Sequence, residues 1–372
     1  MQNIYITGTG FCIPEDGLTT NDEVVNSYNA YVDNFNLDNA DAISNGSLEA
    51  LSHSSSEFIE KASGIKTRYL YDKNNCLDPK RMKPRTRPEL PDNTSVLAEM
   101  GIESAKKAIA NAGITGDDID GIILGTSHSA RNYPAIAIEI QEALGINGYA
   151  YDMLVGCSST TFAINNAYSD ISSGLAETIL VINPEISTPG VNYTKRDSHF
   201  IFGDACAASI IKKNSKSSKS FRIIDRKLVT EFSNNIRSDF SYINRVAIDK
   251  KTEDELLFYQ NGKSVFKEVC PLVYKVVLEQ LEKNNLAPEE ISKFWLHQAN
   301  GKMVKFIVSK LLGHDDFDEN LVPLPLEKFG NLASVGSMFA FNLNNDLEKG
   351  QKGVIASFGA GYSLCSMIVE IV

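Results

Sequence analysis

Two copies of one helix–strand unit run through this chain. Ile114-Thr-Gly-Asp-Asp-Ile-Asp-Gly-Ile-Ile-Leu124 lines up with Leu286-Ala-Pro-Glu-Glu-Ile-Ser-Lys-Phe-Trp-Leu296, an offset of 172 residues (286 − 114). Each copy follows a helical pattern and leads into an apolar strand. Downstream a helix, a glycine (Gly174, Gly350) and a strand (178–183, 353–358) recur at an offset near 176 (350 − 174). Two units with helices flanking sheets predict an α/β protein, a duplicated five-layered α/β/α/β/α fold with pseudo-twofold symmetry. The halves are expected at residues 1–215 and 216–372. The axis between them brings the ends of equivalent strands together, a natural place for a site.

Element signals agree with this plan. Helical patterns cover 95–112, 158–173, 265–283 and 301–312, and strand patterns cover 4–7, 121–125, 178–183, 293–297 and 353–358. Residues 1–10 read as a first strand ending in a glycine turn. Two segments stand apart: an Asn/Ser/Asp-rich, helical-looking insert at 26–57, and a Lys/Arg/Pro/Asn-rich surface loop at 71–94. The chain carries 36 basic and 47 acidic residues, a net charge of −11. That balance excludes a general nucleic-acid binder, which needs a basic face. No apolar run reaches the roughly 18–20 residues that cross a bilayer, and the first residues lack an export signal, so a cytoplasmic protein without a membrane partner is expected. The six cysteines show no metal-ligand spacing, which predicts reduced thiols and no structural zinc.

Three residues stand where chemistry can be done. Cys157, in Asp152-Met-Leu-Val-Gly-Cys-Ser-Ser-Thr-Thr161, lies between an apolar strand and a helix. Unpaired N–H groups and the macrodipole at that helix start favour thiolate, which marks Cys157 as the reactive cysteine. A buried, inert cysteine is the commoner fate of the residue type. His297 ends the strand Phe294-Trp-Leu296 and can exchange a proton near neutrality; a satisfied core histidine is the alternative. Asn331, in Phe329-Gly-Asn-Leu-Ala-Ser-Val-Gly336, is either a cap or a donor to a developing oxyanion. The small-residue run Ser357-Phe-Gly-Ala-Gly-Tyr362 lets a backbone N–H approach a thioester carbonyl. His53, His128, His199 and His314 have weaker claims.

Val-Gly-Cys157-Ser-Ser, Leu-His297-Gln-Ala-Asn, Gly-Asn331-Leu-Ala-Ser and Phe-Gly359-Ala-Gly-Tyr together resemble the β-ketoacyl-acyl carrier protein synthase III family of the thiolase superfamily. Phe58-Ile-Glu-Lys-Ala-Ser-Gly64, Tyr133-Pro-Ala-Ile-Ala, Ile201-Phe-Gly-Asp204 and Val265-Phe-Lys267 extend the likeness over nearly the whole chain, in family order. The resemblance implies a Cys157–His297–Asn331 site. Cys157 takes an acyl group from acyl-CoA, and His297 and Asn331 stabilise the enolate left when malonyl-acyl carrier protein loses CO₂. It further implies backbone oxyanion donors at Cys157 and Ala360, adenine sandwiched between Phe58 and Arg196, and carrier-protein docking at Lys267, Lys302 and Lys310. Tyr133 falls where the family places a residue that crosses a homodimer interface and limits the acyl tunnel.

Phe58 replaces the usual tryptophan and Ala360 the usual glycine, and no role is assigned to Glu185. The inserts resemble a branch using medium-chain acyl-CoA primers. The expected function is therefore a chain-initiating 3-oxoacyl-carrier-protein synthase, with substrates but no cofactor or metal. Alternatives are a thiolase-fold ketosynthase or acyltransferase of a specialised lipid or pigment pathway, and a non-catalytic partner subunit.

Overall fold

The computed structural model describes residues 3–84, 90, 93–214, 220–241 and 252–372. The first half carries β1 (Ile4–Cys12), β2 (Leu18–Thr20), α1 (Asn21–Asp38), α2 (Ala40–Ser44), α3 (Ser56–Ser63), β3 (Thr67–Tyr69), α4 (Lys73–Cys76), α5 (Val96–Ala112), β4 (Gly121–Gly125), α6 (Ile136–Leu144), β5 (Tyr149–Met153), α7 (Ser159–Ser173), β6 (Thr178–Glu185) and β7 (Ala205–Lys213). The second carries β8 (Phe221–Ser233), β9 (Ile236–Arg237), α8 (Glu253–Leu256), β10 (Tyr259–Gln260), α9 (Gly262–Lys283), β11 (Ile291–Leu296), α10 (Gly301–Leu312), α11 (Leu326–Phe329), α12 (Gly336–Leu343), β12 (Lys352–Gly359) and β13 (Gly361–Ile371). The expected boundary at 215/216 lies outside the described residues.

The sheet order, β11-β12-β13-β8-β1-β7-β6-β4-β5, makes the duplication visible. Two half-sheets, β5-β4-β6-β7-β1 and β11-β12-β13-β8, meet among the described residues at two residue pairs, Tyr5↔Arg222 and Ile6↔Phe221. Matching pairs run the same way in both halves: β4–β6 and β11–β12 are parallel, β6–β7 and β12–β13 antiparallel. Among the described residues β5 has no counterpart in the second half.

Alternation along the strands builds the layers. Ile123 and Val181 of one half, with Trp295 and Ile355 of the other, face a central core filled by α7 and α12. Their neighbours point the opposite way: Ile122, Leu124 and Ile182 pack under α5 and α6, and Phe294, Leu296 and Val354 under α9 and α10. Five layers result. A separate core joins α1 and α3 to residues 191–202 through Tyr28, Val32, Ile59 and Phe200.

Three details differ from the sequence expectation. β1 runs through Gly8 and Gly10 to Cys12 without turning there; a Cβ on Gly10 would lie 2.3 Å from the Ser104 carbonyl, so these glycines let α5 press onto the strand. The first insert is helical to Asp38 and again over Ala40–Ser44, but not over 45–55. Its first helix begins at a Thr20–Glu23 capping box upstream of the composition shift. The second insert contains the short helix α4, and residues 85–89 and 91–92 of it lie outside the described set.

Candidate active site

Cys157 lies in the 3₁₀ turn Gly156–Ser158 that leads from β5 into α7. His297 leaves the end of β11, and Asn331 lies in the turn before α12. The duplication brings these segments together, so all three residues line one cavity of about 890 Å³. Asn331 is strapped across the two halves: its N–H donates to the Ile201 carbonyl (2.9 Å) and its carbonyl accepts from Gly203 N–H (3.1 Å). Its side-chain oxygen accepts from Ala333 N–H at 3.0 Å, which leaves the amide NH₂ as the donor for a ligand.

Alone of the six free cysteines, Cys157 is not fully buried. The backbone N–H groups of Cys157 and Ala360 point at its sulfur. The family resemblance implies the same two N–H groups as oxyanion donors. A side chain at Gly359 would place its Cβ 2.6 Å from Cys157 Cβ and 3.0 Å from Sγ, so only glycine lets this strand end lie against the cysteine.

The electrostatics correct one expectation. Desolvation and, after it, the charge of Glu185 push the Cys157 thiol up to about 12, and the two N–H groups offset this only in part. Burial outweighs the helix terminus, so the resting side chain is a thiol. Alkylation of Cys157 by iodoacetamide is accordingly expected to speed up about tenfold per pH unit from pH 7 to 10 with no plateau; a plateau below pH 8 would show a resting thiolate.

His297 is 2% exposed, and burial pushes it down to about 4, so its imidazole is neutral at pH 7. Its backbone N–H donates to the Ala356 carbonyl (2.8 Å), and its ring meets Phe358 edge-on at 5.4 Å. Its Nδ1 has no hydrogen-bond partner among the described residues.

The other expected residues fall at different distances from this centre. Lys267 and Lys302 line the cavity, joined by Lys263, whereas Lys310 lies two turns along α10 with its ammonium 5.5 Å from the Phe306 ring centroid. Phe58 and Arg196 do meet, but they stack on each other at 3.8 Å, while Arg196 Nε donates to the His53 carbonyl of the first insert (2.7 Å). A flat ring between them needs roughly 7 Å, two contact distances. The expected slot is therefore closed by its own cation–π pair. Tyr133 is 85% exposed.

Sequence reasoning missed a second, mainly apolar chamber of about 200 Å³ behind the cysteine. Phe202, Ile236 and Phe258 line both spaces together with Cys157; Phe258 meets Phe202 edge-on at 4.9 Å. Ser127 and His128 line the inner chamber. The repeat held a signal for them, since it pairs the end of β4 with the strand end carrying His297. Among the described residues no cluster of three or more His, Cys, Asp or Glu could hold a metal ion.

The model of the 3-oxoacyl-[acyl-carrier-protein] synthase III family matches residues 151–231, and its C-terminal counterpart matches 281–371. A β-ketodecanoyl-[acyl-carrier-protein] synthase of Pseudomonas aeruginosa is 46% identical over 347 residues, 92% of this chain and 99% of that one. The chain belongs to the 3-oxoacyl-[acyl-carrier-protein] synthase III family. As a synthase III it is a condensing acyltransferase of the thiolase fold. A β-ketoacyl-[acyl-carrier-protein] synthase III of Clostridium perfringens is 27% identical, covering 88% of this chain and 95% of its own. In three dimensions the synthase resembles the 3-oxoacyl-carrier-protein synthase III of P. aeruginosa (TM-score 0.76, 17% identity, 100% of each chain). It also resembles the priming β-ketosynthase of the R1128 polyketide pathway (TM-score 0.78, 20% identity, 100% of this chain and 96% of that one).

Proposed function

We propose that this synthase III is primed by a medium-chain acyl-CoA, with an eight-carbon chain as the preferred length, and that Cys157, His297 and Asn331 carry the reaction. The observation behind this is the convergence of a cysteine, a neutral histidine and an oriented asparagine on one cavity, with two N–H groups at the sulfur. In the first half-reaction Cys157 Sγ attacks the thioester carbonyl while the Cys157 and Ala360 N–H groups receive the oxyanion. The thiol proton leaves with CoA as CoA–SH. In the second, malonyl-carrier protein loses CO₂, and the enolate oxygen accepts hydrogen bonds from His297 and the Asn331 NH₂. The carbanion attacks the acyl-cysteine carbonyl, the C–S bond breaks, and the departing Cys157 sulfur takes up a proton from solvent. A neutral imidazole suits this donor role. Both half-reactions call for no metal or prosthetic group, because the thioesters supply electrophile and latent carbanion.

The chain length rests on the Pseudomonas relative, whose named product is a ten-carbon 3-oxoacyl chain. Taking away the two carbons that malonyl contributes leaves eight. That chain is assigned to the smaller chamber, which shares Cys157, Phe202, Ile236 and Phe258 with the main cavity. Lys263, Lys267 and Lys302 at the cavity mouth form a local basic rim for an acidic carrier protein, with Lys310 farther along the same helix. Phe58 and Arg196 serve the adenine only once the pair has parted. Six free cysteines agree with a cytoplasmic enzyme.

The test is intact-mass measurement after incubation with acyl-CoAs of two to fourteen carbons, followed by CO₂ release from malonyl-carrier protein. An acyl adduct strongest at eight carbons and CO₂ formed in step with 3-oxoacyl product are expected. No adduct from any acyl-CoA overturns the reading.

A homodimer formed along β5 belongs to the same proposal. That strand is the outer edge of the sheet, and Tyr133 (85% exposed), Leu154 (56%) and Ile138 (46%) are large apolar side chains open beside it. Light scattering is expected to give twice the chain mass, and Leu154→Lys to give monomer. Monomeric wild type would refute the interface and the gating role of Tyr133.

A further inference from the structure

Glu185 is a carboxylate with no evident reason to be where it is. It ends β6, is 1% exposed, and among the described residues no cation pairs with it. One oxygen, Oε1, collects three donors: Ser127 N–H (2.7 Å), Ser334 N–H (3.4 Å) and the Ser334 hydroxyl. Those donors come from different parts of the chain. Ser127 follows β4 and lines the inner chamber with Cys157. Ser334 belongs to the turn that also holds Asn331.

The same turn is tied on its other side. The Ser334 carbonyl accepts from Thr160 Oγ1 (2.6 Å) in the first turn of α7, the helix that Cys157 leads into. One residue earlier, Ala333 N–H holds the Asn331 side-chain oxygen. A buried chain of contacts therefore runs Ser127–Glu185–Ser334–Ala333–Asn331, with a branch through Thr160 to the cysteine helix. Removing Glu185 frees the Ser334 hydroxyl and takes the acceptor from the buried Ser334 N–H and the half-buried Ser127 N–H. The titratable groups its charge acts on are Cys157 at the start of α7 and Cys206 on β7.

We propose that Glu185 is a positioning residue for the condensation half-reaction, clamping the Asn331 turn to the strand end beside Cys157. This rests on the roles given above to Cys157 and Asn331. It assigns Glu185 no bond to substrate. Its carboxylate does two separable things: the acceptor atom sets geometry, and the charge, present only above about pH 7 because burial pushes Glu185 up to about 7, adds to desolvation in raising the thiol.

Glu185→Gln separates them, because the amide keeps an acceptor for Ser127 and Ser334 but carries no charge. Peptide-mapped alkylation of Cys157, which needs no substrate, is expected to be about tenfold faster in Glu185→Gln above about pH 8, where the wild-type carboxylate is ionised, and to approach the wild-type rate below pH 7. Condensation by Glu185→Gln stays within a few-fold of wild type. In Glu185→Ala, kcat for CO₂ release from malonyl-carrier protein is expected to fall about 10- to 100-fold, while the acyl adduct still forms. Ser334→Ala, a milder change that leaves the carboxylate in place, should lower the same kcat in the same direction. Its circular dichroism and melting midpoint establish that the protein is folded. Wild-type kcat in both Glu185→Ala and Ser334→Ala overturns the clamp, and an unchanged alkylation profile in Glu185→Gln overturns the field effect. If wild-type protein takes no acyl group at all, the proposed function fails, and the alkylation profile still decides what the charge does at Cys157.

Discussion

Cys157→Ala is expected to form no acyl adduct with any acyl-CoA and to lose condensing activity by about 10³-fold or more, the scale on which removal of a covalent nucleophile acts. The fold should survive. The substitution deletes a single atom that already borders a cavity, so the packing loss is on the order of 1 kcal/mol or less. The other five cysteines are buried, which leaves none to substitute for it. Decarboxylation of malonyl-carrier protein without condensation should persist at a low level, because His297 and Asn331 are untouched. Measured together, adduct mass, CO₂ and 3-oxoacyl product make the result unambiguous. An adduct that survives at another cysteine, or turnover within tenfold of wild type, would remove Cys157 from the mechanism.

The second large effect is expected in the opposite half of the reaction. Asn331→Asp keeps the side-chain oxygen that accepts from Ala333 N–H, so the turn can hold its shape. It replaces the NH₂ donor with a carboxylate oxygen, where the enolate charge is to grow. Loss of one oxyanion donor costs about 10²–10³-fold in kcat, and a like charge adds to that. His297→Ala should lower decarboxylation to a similar degree by removing the other donor. Both variants should still take the acyl group, since the N–H donors of the first half-reaction lie at Cys157 and Ala360. Acylation lost together with decarboxylation would mean that His297 and Asn331 serve both steps, and full kcat in either variant would exclude it as an enolate donor.

These expectations draw on two sources of information. The repeat at 114–124 and 286–296 is written in the chain, and the unbroken apolar runs Ile122-Ile-Leu124 and Phe294-Trp-Leu296 already point to half-sheets covered on both faces. The same reading places Cys157 and His297 at strand ends before helices and Asn331 in a turn before a helix. That is local information, because a cap, a helix start and a run of β-branched residues depend on neighbours a few positions away. Strands β7, β8 and β13 were not legible in this way. Ala205-Cys-Ala-Ala-Ser is buried on both faces, and its small residues show no alternation to read.

What tertiary structure decided is whatever depends on groups distant in sequence. The sequence put Cys157 at a helix terminus and so implied thiolate; the fold buried it beside Glu185, and desolvation reversed the sign. Phe58 and Arg196 are 138 positions apart, and only the path of the first insert, whose His53 carbonyl holds the guanidinium, shows that they close on each other. Glu185 carried no role in the sequence, because its meaning lies in Ser127 and Ser334, 58 and 149 residues away, meeting at one oxygen. The chain by itself determined the duplicated layers and named the candidate reacting groups, since periodicity and residue type are local properties. The charge state, reach and mutual alignment of those groups are properties of burial and long-range contact, which exist only once the two halves have packed.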